Sequence, residues 1–159
     1  MKKKIISVLL ALMILFTAQI AVYAHPESVS EGSQSTVSNL ITIKKPDTAS
    51  TSTMKSTYSI TGIGSEGVSI CFYVFDGTTY TPQKNADGTI ATYTIGSSGV
   101  FYRQISLAEG NNRICVRAEV ADGNYQQEYL TINVIKSDMI ADIQAFSLNV
   151  QSKLNGWLN

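Results

Sequence analysis

The 159-residue chain has a single histidine, His25, and that scarcity removes more chemistry than any other feature of the sequence. With one histidine, placed outside the stretch expected to fold, no Ser/His/Asp or Cys/His relay is expected. A square-planar copper site at His25 would need further nitrogen ligands, which no second histidine supplies. Surplus positive charge is missing too: 12 Lys and Arg balance 12 Asp and Glu, which is no nucleic-acid footprint. Lys44-Lys45, Arg113 and Arg117 are too sparse to form a basic surface. There is no EF-hand spacing and no phosphate-cradling glycine loop. Asp76, Asp87 and Asp122 each precede a glycine, where turns demand them, so they are expected as turn residues and not as acids or calcium ligands. No metal, no cofactor and no enzymatic activity are expected.

What is present begins with a three-part N-terminus. Lys2, Lys3 and Lys4 precede an apolar run from Ile5 to Ile20, and Val22-Tyr23-Ala24 offers the small residues a signal peptidase needs. Residues 1–24 read as a secretory signal, with an uncleaved anchor as the rival because the run could just span a bilayer. No cysteine follows it, so lipid attachment is not expected. Cleavage leaves nine basic against 12 acidic residues, a charge of −3, on a chain with no remaining membrane segment. Residues 25–37 are rich in Ser, Glu and Gly and read as a flexible tether, because such a stretch buries too little apolar surface to offset its ordering entropy.

Residues 38–136 alternate with a period of two. Around Glu109-Gly110-Asn111-Asn112, Phe101, Ile105 and Leu107 precede a turn, and Ile114, Val116, Ala118 and Val120 follow it, each set on one sheet face. Asn39–Ile43, Thr57–Gly64, Val68–Phe75, Thr89–Ile95 and Gln126–Ile135 read as further strands, while Asp47–Ser56 reads as a Thr/Ser loop. Seven or eight short strands in about 100 residues predict a two-sheet antiparallel sandwich. Tyr58-Ser59-Ile60-Thr61-Gly62, Gly67-Val68-Ser69-Ile70, Gly99-Val100-Phe101 and Leu107 to Ile114 resemble the bacterial immunoglobulin-like modules of secreted and surface proteins, most of all the accessory domain type described from glucodextranase. That resemblance implies an all-β, immunoglobulin-like sandwich and contact with carbohydrate or the cell envelope. Arg103 departs from it, since its parity points inward; this predicts an edge strand from which its head reaches water.

Cys71 and Cys115 both fall on the outward parity of strands that are neighbours in such a sandwich, so a cross-strand disulfide is expected, either a structural staple or a labile switch. The same outward face carries Tyr73, Phe75, Arg113, Arg117, Tyr125 and Tyr129, a candidate ligand platform. After it, residues 137–159 read as an amphipathic helix with Met139, Ile143, Phe146, Val150 and Leu154 on one stripe. That stripe packs either on its own sheet or on another chain. The expectation is therefore an exported binding or adhesion module at the cell surface or outside the cell, contacting envelope polysaccharide or another surface protein. The alternative is an assembly protein whose helix drives self-association into a homo-oligomer or docks onto a partner.

Overall fold

The computed structural model describes residues 25–157; the expected signal, 1–24, lies outside the described residues. Nine strands form: β1 (Ile41–Lys45), β2 (Ser50–Thr53), β3 (Thr57–Gly64), β4 (Ser69–Phe75), β5 (Tyr80–Pro82), β6 (Thr92–Thr94), β7 (Val100–Ser106), β8 (Gly110–Glu119) and β9 (Tyr125–Val134), followed by a helix, α1 (Ser137–Trp157). One sheet has the order β1-β3-β7, the other β2-β9-β8-β4-β5 with β6 also on β4. Pairing is antiparallel except between β2 and β9, which run parallel. This is the all-β, immunoglobulin-like sandwich, with the N-terminal strand split so that β1 joins one sheet and β2 the other.

The inward parity is as expected. Ile60, Ile70, Phe72, Phe101, Ile105, Ile114, Val116, Ala118, Leu130 and Ile132 fill one cluster between the sheets, with Val120 packed against it. The stretch around Gly110 nevertheless does not form a strand pair. β7 joins β3 and β8 joins β4 and β9, so the turn carries the chain from one sheet to the other. Alternation identifies which side of each strand is buried, and it is silent about which neighbour the backbone chooses. The Thr/Ser loop also contains a strand, β2, which has no apolar alternation to reveal it and is held by its parallel ladder to β9. Arg103 lies half-buried on β7, an edge strand, as its parity required.

Two local features lock the sheets. Phe101 stands opposite Gly62 in the β3/β7 ladder, and a Cβ at Gly62 would lie 2.3 Å from the Phe101 ring, so glycine opens the seat that the ring fills. Gln126 is buried at the seam between sheets. Its Oε1 accepts from the backbone N–H of Leu40 (2.7 Å) and Ile41 (3.0 Å), and its Nε2 donates to the Ile41 carbonyl (3.0 Å). One amide thereby acts as the missing strand partner of β1.

Replacing Gln126 by Leu keeps the volume and strands these backbone groups, each worth about 1–3 kcal/mol when buried without a partner. Gln126→Leu is expected to lower unfolding free energy by about 2–4 kcal/mol, read as a fall in the urea midpoint with an unchanged slope.

Candidate functional site

The outer face of the larger sheet holds the residues expected to carry function, and it is covered. Cys71 and Tyr73 on β4, Tyr80 on β5 and Cys115 on β8 form a second buried cluster with Val29, packed against Phe75, Ile90 and Tyr129. The cover is the stretch expected to be a tether. Val29 exchanges both backbone hydrogen bonds with Tyr80, at 2.9 and 3.0 Å, which attaches the segment to the β5 edge. Thr36 donates its N–H to the Tyr125 carbonyl (2.9 Å) and accepts the Tyr125 N–H on its hydroxyl (2.7 Å), and Ser35 accepts the Gln127 N–H (2.8 Å), which attaches it to β9. Between them Tyr73 donates its hydroxyl to the Pro26 carbonyl (3.0 Å) and Tyr129 donates to the Ser33 carbonyl (3.1 Å). Residues 25–37 are thus a strap across the sheet. Its own side chains are too polar to explain this; the buried apolar surface belongs mainly to the aromatics beneath it.

The strap is fastened at its start by His25, 6% exposed. Its Nε2 lies 2.8 Å from the Ser69 hydroxyl, while Nδ1 makes no hydrogen bond and faces Glu119 Oε2 at 3.8 Å. Arg117 donates its Nε to the same carboxylate oxygen (3.0 Å) and lays its guanidinium over the Tyr125 ring at 3.6 Å. The structure therefore builds a Ser69–His25–Glu119 array that the sequence had excluded, because a residue assigned to a tether was not expected to meet a strand 44 positions away. Chemically the array is closed. Ser69 is 2% exposed, His25 itself is the lid above it, and the carboxylate stands beyond hydrogen-bond reach of Nδ1. A substrate could reach the hydroxyl only by expelling the base. The array therefore anchors the strap.

Burial depresses the His25 pKa below its ordinary value, opposed by the Glu119 charge and reinforced by Arg117. The thiols respond to the same burial: Cys71 is pushed up to about 11 and Cys115 to about 12. The disulfide expected between them is not formed, and both thiols are free. They do lie on neighbouring strands and one face, yet the register sets Cys71 opposite Arg117 and Cys115 opposite Tyr73. Diagonal neighbours in a ladder stand roughly 7–8 Å apart, farther than a bridge spans.

The candidate ligand platform is largely consumed by the strap. Tyr73 is fully buried, Arg117 and Tyr125 stack on one another, and Tyr129 binds Ser33. Arg113 pairs with Glu31 of the strap and lies 4.3 Å over the Phe75 ring. What remains open at the margin is a shallow hollow of about 410 Å³ lined by Glu31, Tyr80, Arg113, Tyr129 and Thr131, among others. Asp76, Asp87 and Asp122 are turn residues whose carboxyls are held below the usual range by hydrogen bonds within the turn: from the Thr79 and Thr78 N–H groups to Asp76, from the Thr89 hydroxyl and N–H to Asp87, and from the Asn124 N–H and side-chain amide to Asp122. Among the described residues no group of three or more His, Cys, Asp or Glu could hold a metal.

Among the described residues the exposed large apolar side chains are Met54, Tyr93 and those of two surfaces. Ile63, Val100 and Tyr102 face outward from β3 and β7. On α1, Ile143, Phe146, Leu148, Val150 and Leu154 are 41–71% exposed, so the expected stripe does not pack on its own sheet. The Met139 side chain lies outside the described set.

No family model and no curated protein matches this chain. Among solved structures it is similar to the fibronectin(III)-like modules of Clostridium thermocellum CbhA, at 17% identity and a TM-score of 0.38, over 60% of this chain and 95% of that one.

With both thiols buried and protonated at neutral pH, neither is expected to react with a thiol reagent near pH 8 in the native protein. Both should titrate after unfolding, with no reductant needed. The histidine gives a second expectation. Because its folded pKa is lowered, the unfolded chain binds the extra proton, so its contribution is intact above the ordinary value near 6.5 and is lost as pH falls through the folded pKa. Protection factors of the amides across residues 27–37, that is, exchange rates corrected for their intrinsic pH dependence, should fall as pH drops from about 6.5 to the folded pKa, and His25→Gln should flatten the dependence.

Proposed function

We propose that the chain is an exported, non-catalytic interaction module in which the sandwich is a rigid carrier and α1 is the docking element. The observation that carries this is the exposed stripe of Ile143, Phe146, Val150 and Leu154 on a helix none of whose described side chains belongs to either buried cluster. An amphipathic helix holding an apolar stripe in water is stabilised by whatever covers it. The strap has already closed the sheet face that would otherwise receive it. Export follows from the signal-like residues 1–24, and no helix among the described residues is long and apolar enough to cross a membrane.

A second reading keeps adhesion to carbohydrate or the cell envelope, as the immunoglobulin-like resemblance implies. It is favoured by the hollow beside Arg113 and Tyr129, where a half-buried tyrosine and a cation meet at an open margin. In this reading the docking surface is on the sandwich and α1 is dispensable.

Deleting residues 137–159 separates the two. If α1 docks, the truncated protein should keep the unfolding midpoint of the full chain, since no described core residue is removed, and should lose attachment to cells. Attachment that survives the deletion, and is competed by soluble envelope polysaccharide, supports the second reading in its place. A truncated protein that aggregates would sink the idea that the sandwich is self-sufficient.

A further inference from the structure

We propose that the occupant of the α1 stripe is α1 of a second copy of this chain, paired antiparallel. This rests on α1 being the docking element and names its partner. Ile143, Phe146, Val150 and Leu154 follow at steps of three, four and four, which places them along one side of a helix about 31 Å long. In heptad terms Ile143 and Val150 share one core position, and Phe146 and Lys153 share the other.

The direction of pairing is decided by charge. Alongside this stripe α1 carries only Asp138, Asp142 and Lys153 as charged residues. Asp142 and Lys153 are 11 residues apart, and at about 100° per residue they come back to within about 20° of each other, on the same flank of the stripe. In a parallel pair identical residues lie at the same height, so aspartate is level with aspartate and lysine with lysine. In an antiparallel pair each flank meets the same flank of its partner with heights reversed. Asp142 then meets Lys153 of the other copy, twice over. The reversal is centred near Leu148, and the same register sets Phe146 beside Val150 of the other copy and Ile143 against the aliphatic stem of its Lys153. Phe146, Val150 and the Lys153 stem thus agree with the charged pair on one register, in which Leu154 comes level with Asp142 of the other copy at the margin of the contact, and opposed helix dipoles favour it further.

The alternatives on the same molecule fit less well. The outer face of the larger sheet is under the strap. The outward patch of Ile63, Val100 and Tyr102 covers only two strands, too short for a stripe that spans three helical turns.

Sedimentation of the full-length chain tests this directly. The wild type is expected to be a dimer at roughly tens of micromolar. Asp142→Lys alone and Lys153→Asp alone each replace two attractions by two repulsions and should weaken dimerisation by about tenfold or more. Mixing the two variants restores both attractions in the heterodimer, so a one-to-one mixture should regain the wild-type affinity, and raised salt should shrink all these differences. Unreactive native thiols in each variant confirm that the sandwich is intact. A monomeric wild type overturns the pairing and leaves docking of α1 on a different partner standing. A dimer indifferent to Phe146→Asp overturns the pairing, because association then uses another surface. A dimer that Phe146→Asp abolishes but that charge exchange and mixing do not change overturns the antiparallel register. Loss of the dimer on Tyr102→Asp overturns helix-to-helix pairing in favour of α1 seated on the sheet patch of a second copy.

Discussion

The larger sheet is buried on both faces, and most of the molecule depends on what covers the second one. An ordinary sandwich sheet has a wet outer side. Here that side carries Tyr73, Tyr80, Cys71 and Cys115, all almost completely removed from solvent. A polar segment can cover such a surface when the apolar area lies beneath it and its own backbone finds partners at the edges, as Val29 does at Tyr80 and Thr36 at Tyr125. The strap closes the sheet without contributing much hydrophobic surface, and it converts a prospective binding face into a second core.

That conversion also explains which parts were legible beforehand. Period-two alternation identified the inner faces of β4, β7, β8 and β9, because burial of a strand is a property of its own side chains. It also placed both cysteines on the outer parity. It did not place them in register, since register depends on turn lengths and bulges that no face pattern encodes. β2 and the strap escaped notice for a related reason. Ser50–Thr53 and residues 25–37 are held by backbone hydrogen bonds to surfaces made elsewhere in the chain, so their composition resembles that of a loop. Only His25 and Val29 hinted otherwise, and a lone histidine among serines is a weak signal. The helix and its stripe were readable because Asp138 near its start and the apolar spacing are local.

The functional residues divide in the same way. Arg113, Arg117, Tyr125 and Tyr129 share the outer face of the larger sheet, yet they spend their hydrogen bonds and ring faces on the strap and on one another. The Ser69–His25–Glu119 array shows that a familiar order of side chains can arise from fastening alone. What distinguishes it from a working relay is access, and Ser69 has none.

The two ends of the described chain leave from opposite poles of the sandwich. His25 sits with Ser69, Glu119 and Tyr125 at one end of the larger sheet, and α1 departs beyond Val134 at the other. β2 runs parallel to β9 between them, with Ser50 opposite Thr131 and Thr53 opposite Val134. A tensile load applied between the N-terminal side and α1 therefore drags these two strands in opposite directions along their length. All of their ladder hydrogen bonds must stretch together, as in a lap joint, and cannot be unzipped one at a time. The sandwich is therefore mechanically strongest along the line that runs from His25 at one pole to α1 at the other.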